Sequence, residues 1–203
     1  MTEVSRSRDR LDARRARILA AARTVFAQEG GLSAGLRAIA AEAGVTTGAI
    51  YAAFSGKEDI YAALQEQALR DVADATRAAA AAETAPADAL AAAARAFWAW
   101  YAVRPFEQSL GFYLFERDGR RGLGPERDRA LNARLEESLS IFAAGFEGLG
   151  AAPARARALS LSLFAGLAGA ASIAVSRRDR SLRAEAETIV DTLIGVHVTA
   201  LRE

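Results

Sequence analysis

The chain has 203 residues, 52% of them hydrophobic and 25% charged, a balance that supports a buried core and excludes disorder as the general state. It contains no cysteine, so disulfides and thiolate metal sites are excluded and nothing points to an oxidising compartment. The formal net charge of +1 does not suggest a polyanionic partner, but its distribution does: residues 1–57 carry nine basic and five acidic side chains, and the remainder 17 basic and 20 acidic. A basic head thus precedes a mildly acidic body.

In chain order, residues 1–10 alternate Arg with polar residues without periodicity. They read as a soluble tail and as a basic arm able to reach DNA phosphates or a minor groove. The N-terminus lacks the apolar core of a secretory signal. From Leu11 to Gln28 the set Leu11, Ile18, Ala22, Val25, Phe26 recurs at three- and four-residue steps, which predicts an amphipathic helix ended by Gly30-Gly31. Leu36 to Ala43 follows as a short helix, Gly44 supplies a turn that needs φ > 0, and Thr46 can cap a second short helix from Thr47 to Phe54. Ile60, Leu64, Ala68 and Val72 define a longer helix to about Ala82.

Pro86 opens a helix from Ala87 to Val103, and Pro105 restarts the chain for a helix from Phe106 to Glu116. Asp118 to Pro125 reads as a loop. Leu131, Leu135, Leu139, Phe142 and Phe146 form the stripe of a helix from Glu126 to Leu149, and Gly150 and Pro153 separate it from another over Ala154–Arg177. The apolar run Ala158 to Val175 reaches minimal membrane-span length, but serines and small residues dilute it, and no membrane partner is expected. A last helix covers Leu182 to about Leu201. No segment alternates with period two, so the expectation is an all-α fold of about nine helices.

Two short helices joined by a glycine turn describe a helix-turn-helix. The run Ile39-Ala40-x-x-Ala43-Gly44-Val45-Thr46-x-Gly48-x-Ile50-Tyr51-x-x-Phe54-x-x-Lys57-Glu58 resembles the N-terminal signature of the tetracycline-repressor (TetR) family of bacterial transcription regulators. The match covers residues 11 to 65. The resemblance implies a DNA-binding domain over 1–57, with the arm at 1–10, and a ligand-binding and dimerisation domain over 58–203. It further implies a cytoplasmic, ligand-responsive regulator, most simply a repressor. Its partners would be a palindromic double-stranded DNA operator, a second copy of the chain and a small hydrophobic effector.

The residues themselves suit such a head. Thr46, Thr47, Gly48 and Ala49 are small enough for close approach to base edges in a groove about 12 Å wide. Thr47 can donate, accept or touch a thymine methyl, and Ala49 can touch one too. Arg37 is the long donor able to make a bidentate contact to guanine. Tyr51 and Lys57 suit phosphate contacts, and Lys57 is the chain's only lysine. By resemblance, the positions of Arg37, Thr47, Tyr51 and Lys57 contact DNA. The sequence departs from the family pattern at Gly35, where a capping Thr is usual and Ser33 is the substitute, at Ala49, and at Ala52-Ala53.

In the body, Ala165, Gly166 and Gly169 lie on a small-residue face, and Ile189, Leu193 and Ile194 are large knobs on the last helix. These six are the expected dimer interface, an intersubunit four-helix bundle. Phe97, Trp100, Tyr101, Phe112 and Tyr113, from a cluster holding most of the aromatics, are the expected effector site, with Tyr101, Tyr113, Gln108 and Arg104 as polar handles. His197, the sole histidine, lies on an apolar face and reads as a satisfied core or interface residue. With one histidine, no cysteine and no P-loop or Rossmann glycine pattern, no enzyme activity, metal or cofactor is expected. The alternative reading is a helical protein–protein interaction module with a non-functional helix-turn-helix.

Overall fold

Helical periodicity becomes helix after helix in the computed structural model, which describes residues 3–29, 35–112, 123–183, 185–199 and 201; of residues 3–7, Glu29, Phe112 and Leu182 it describes the backbone alone. Ten α-helices and no strand occur among the described residues. They are α1 (Glu3–Glu29), α2 (Leu36–Ala43), α3 (Thr47–Tyr51), α4 (Lys57–Ala81), α5 (Pro86–Ala102), α6 (Pro105–Phe112), α7 (Pro125–Gly148), α8 (Pro153–Val175), α9 (Arg178–Leu182) and α10 (Ala186–Thr199). The chain divides into two compact units, Met1–Gln67 with Phe112–Arg127, and Ala68–Gly111 with Asp128–Glu203. The first unit therefore runs beyond residue 57, taking in the early turns of α4.

The first unit buries one face of each helix. Ile18, Ala22, Val25 and Phe26 of α1 are buried, as are Ile39 of α2, Ile50 of α3, Phe54, and Ile60, Tyr61 and Leu64 of α4. Phe26 and Tyr61 pack with ring centroids 6.1 Å apart. Two expectations for α1 are corrected. It begins at Glu3, so the segment described within 1–10 is helix rather than an irregular arm; a solvent-facing helix needs no apolar periodicity to form. Leu11 is 41% exposed and lies outside the apolar stripe.

The second unit is organised around Phe97. Its ring lies edge-on to Phe142 at 5.7 Å and to Phe164 at 5.8 Å, amid a core of Val72, Leu90, Phe146, Leu163, Leu167, Val190 and Ile194. Glycine lets α7 come close to α5: a Cβ on Gly145 would stand 3.0 Å from Leu90 Cδ1. Helix α8 is long and apolar enough to cross a membrane by length and composition, yet Ala156, Ser160, Leu163, Leu167, Ala170 and Ala171 are buried within this unit, and it packs on α5 and α10. Its buried Ser160 donates to the Leu139 carbonyl at 2.7 Å. His197 is satisfied, with Nδ1 2.7 Å from the Leu193 carbonyl and Nε2 3.0 Å from Ser162 Oγ.

The C-terminal segment differs from the single helix expected over 182–201. Arg177 and Arg183 adopt φ of 57° and 52°, and these left-handed residues isolate the short α9 and delay α10 to Ala186. Neither break carries a Gly or Pro, so turn chemistry could not announce it.

Candidate nucleic-acid interface

The turn between α2 and α3 is built by two residues. Gly44 takes φ 62°, ψ 39°, a conformation that penalises any residue with a Cβ. This lets the Val45 N–H reach the Ala40 carbonyl at 3.0 Å and the Gly44 N–H the Ala41 carbonyl at 3.2 Å, closing α2. Thr46 then caps α3: its Oγ1 accepts from the Ala49 N–H at 3.2 Å. Gly35 precedes α2 with no side-chain cap, and Ser33, the expected substitute, lies outside the described residues.

This turn gives α3 an inner and an outer side. Ile50 is fully buried, whereas Tyr51 is 62% exposed. Thr46, Thr47 and Gly48 are exposed, Ala49 is half-buried, and Thr47 and Tyr51, four residues apart, share the outer side. Arg37 is exposed in the first turn of α2, and Lys57, half-buried, is the first residue of α4.

Two arginines brace the element ends. Arg15 of α1 donates to the Ala53 carbonyl just beyond α3, where a cation also meets the negative end of the helix. Its guanidinium stacks on Phe54. Arg127, at the start of α7, donates to Ser55 Oγ at 3.0 Å and pairs with Asp59 Oδ1 at 3.6 Å. Asp59 Oδ2 in turn accepts from the Ser55 N–H at 3.0 Å. The approach to Lys57 is thereby fixed by three groups. Sequence reasoning missed Arg15, although Arg15, Ile18, Ala22 and Phe26 sit three and four apart, so an arginine stands in register with the buried stripe.

In the second unit, Trp100 and Tyr101 are half-buried, with ring centroids 4.9 Å apart. The Arg104 guanidinium lies 4.7 Å from the Trp100 ring centroid, and Gln108 Nε2 donates to Ser172 Oγ at 2.6 Å. Burial first, and the Glu107 charge second, push the Tyr101 phenol well above its ordinary range. Glu107, 7% exposed, went unnoticed in the sequence; the signal was a Glu three residues before the buried Leu110. The Phe112 side chain and Tyr113 lie outside the described residues.

Of the six expected interface residues, Ala165 and Gly169 are exposed and Ile189 is half-buried. The other three work inside the subunit. Ile194 is 5% exposed within the core, and a Cβ on Gly166 would come 2.9 Å from Leu193 Cδ2. Gly166 and Leu193 thus serve the close approach of α8 and α10 within one chain. Leu161 and Val196 instead present apolar surface, 44% and 61% exposed. Among the described residues, no three His, Cys, Asp or Glu side chains gather as a metal site.

A buried three-helix core, a glycine turn and a capped, outward-facing short helix define a helix-turn-helix head of the kind that binds DNA, and the second unit is built of helices among its described residues. Residues 18–64 match the family model of the bacterial regulatory proteins of the tetR family. That match covers the helix-turn-helix head, which is similar to the DNA-binding domain of those regulators and supports a DNA-binding regulator of the tetR type. The chain's fold is shared by the regulatory protein SCO4313 at 22% identity (94% of this chain and 97% of that one, TM-score 0.79). A tetR-family regulatory protein from Rhodococcus RHA1 is similar at 22% identity (93% and 96%, TM-score 0.68). So is the transcriptional regulator FadR from Bacillus subtilis, solved in complex with stearoyl-CoA, at 19% identity (90% and 97%, TM-score 0.70). No curated protein sequence matches the chain.

Proposed function

We propose that the protein acts in the cytoplasm as a homodimeric repressor that reads a palindromic operator and is released by a small hydrophobic effector, with no enzymatic activity of its own. The observation that carries the DNA reading is the Gly44–Thr46 turn, which buries Ile50 and leaves Thr47 and Tyr51 outward. In this reading Thr46, Thr47, Gly48 and Ala49 approach base edges, Arg37 supplies the bidentate donor, and Tyr51 and Lys57 hold phosphates.

The dimer reading rests on α8. Only 28% of its most apolar stretch is buried within the subunit, and the exposed Leu161, Ala165, Gly169 and Val196 offer an apolar face to a second copy. A two-fold pair matches a two-fold operator. The effector reading rests on the Trp100–Tyr101 cluster with Arg104, Glu107 and Gln108 beside it, and Phe97 lies edge-on to Tyr101 at 5.2 Å. A protein of the same fold solved with stearoyl-CoA fits an acyl-chain effector. Release follows if the effector binds more tightly to a subunit arrangement whose heads no longer match the half-sites.

Titration of labelled operator DNA with Tyr51→Ala and Lys57→Ala proteins tests the head. Both variants are to bind more weakly, and Lys57→Ala, which removes a cation, is also to show a shallower salt dependence. Unchanged binding by both would remove the head from the DNA.

A further inference from the structure

Where α8 ends in the second unit, Arg177, Arg178, Arg180 and Arg183 follow one another closely, all exposed, while Asp179, the only acid among them, is half-buried. We infer that these arginines cradle a phosphate-bearing head group on the effector whose acyl chain the Trp100–Tyr101 cluster receives. The inference rests on the acyl-chain reading above and names the chemistry of the effector's other end.

The four arginines stand apart from the rest of their unit. None of them makes a side-chain hydrogen bond or ion pair among the described residues, whereas every other described arginine of the unit has a partner, as Arg95 has Asp191 and Arg157 has Glu136. Four like charges held close repel one another unless an anion sits among them. Their backbone is costly too. Arg177 and Arg183 adopt φ of 57° and 52°, a conformation that penalises a Cβ, and such outliers concentrate at ligand clamps. A phosphate offsets the repulsion, and the planar guanidinium fork matches its oxygens.

The cradle lies within reach of the aromatic cluster. Gln108, beside Tyr101 on α6, donates to Ser172 Oγ of α8 at 2.6 Å, and Ser176 Oγ donates to the Ser172 carbonyl at 2.7 Å. Arg177 comes next, five residues beyond Ser172 and so about 7.5 Å along a helix axis. An amphiphile with its chain against Trp100 and Tyr101 thus brings its head to α9 over a short linker.

The test titrates full-length wild-type and R178Q/R180Q proteins with three compounds of one chain length, followed by fluorescence of Trp98 and Trp100, the chain's only tryptophans. They are stearoyl-CoA, stearoyl lysophosphatidate and the neutral monostearoylglycerol. Arg178 and Arg180 lie within α9 and leave the two left-handed residues in place. The variant is to lose about tenfold in affinity for a phosphate-bearing compound and nothing for the neutral one. Loss for either phosphate compound supports the cradle, and the compound affected distinguishes a nucleotide carrier from a phospholipid. Equal affinity of wild type and variant for both phosphate compounds, with the acyl chain still bound, overturns the cradle and leaves the acyl-chain reading intact. A flattened salt dependence of DNA binding, with acyl affinities unchanged, overturns it by assigning the arginines to DNA. Binding of none of the three by the wild type overturns the acyl-chain reading itself.

Discussion

The Arg15 guanidinium carbon lies 4.1 Å from the centroid of the Phe54 ring, and the same side chain donates to the Ala53 carbonyl. One residue of α1 thus holds the far end of the reading helix by stacking and by a charge-assisted bond. Replacing Arg15 by Ala is expected to cost about 2 kcal/mol of stability, from the lost hydrogen bond and cation–π contact together. Lys keeps the charge but not the planar fork, so R15K is to recover less than half of that loss. Urea midpoints of the three proteins check this.

The turn makes a paired prediction. Gly44→Ala forces a Cβ into φ 62° and is expected to cost about 1 kcal/mol. Thr46→Ala removes the acceptor for the Ala49 N–H and is expected to cost a similar ~1 kcal/mol, while Thr46→Ser is close to neutral. Thermal melts distinguish these outcomes.

Two glycines three residues apart on α8 are expected to respond oppositely. Gly166→Ala drives a Cβ against Leu193 and is to destabilise the subunit by about 1–3 kcal/mol. A Cβ on Gly169 would meet nothing within 4 Å, so Gly169→Ala is to gain up to ~1 kcal/mol in helix propensity. Gly169→Glu leaves the fold intact and is to abolish the dimer by burying a charge in its interface. Chemical denaturation and analytical ultracentrifugation give the two readouts.

Tyr101 predicts an alkaline limb. Its phenol is held above the usual value of about 10, so in the folded protein it stays neutral where the unfolded chain ionises. The stability this supplies is complete below pH about 10 and is lost as pH rises above it. The fall in urea midpoint above pH about 10 is to be smaller in Tyr101→Phe than in the wild type. The phenolate absorbance that Tyr101→Phe removes is to appear only above the ordinary tyrosine range.

The head was legible because its turn is spelled in residues with few alternatives. Gly44 supplies the positive φ, Thr46 the cap, and Ile39, Ile50 and Phe54 the inner face, and all do so in the structure. The α8–α10 pair was less legible. Helix α8 is apolar or small on nearly every side, so periodicity could not tell the face that Gly166 gives to Leu193 from the face carrying Ala165 and Gly169. The α9 break was invisible because two arginines, Arg177 and Arg183, adopt the left-handed conformation. The helical start of α1 escaped notice because none of its described side chains before Ile18 is buried, and burial is what periodicity reports.

The central claim is that two copies of this chain each set α3 against one duplex. Selection of bound sequences from random double-stranded DNA, using the purified full-length protein, measures it most directly. The account predicts enrichment of a palindrome spanning roughly two helical turns, lost when Arg37 and Thr47 are replaced together by Ala. Recovery of no sequence above the input, or of a single unpaired half-site bound by one subunit, would contradict it.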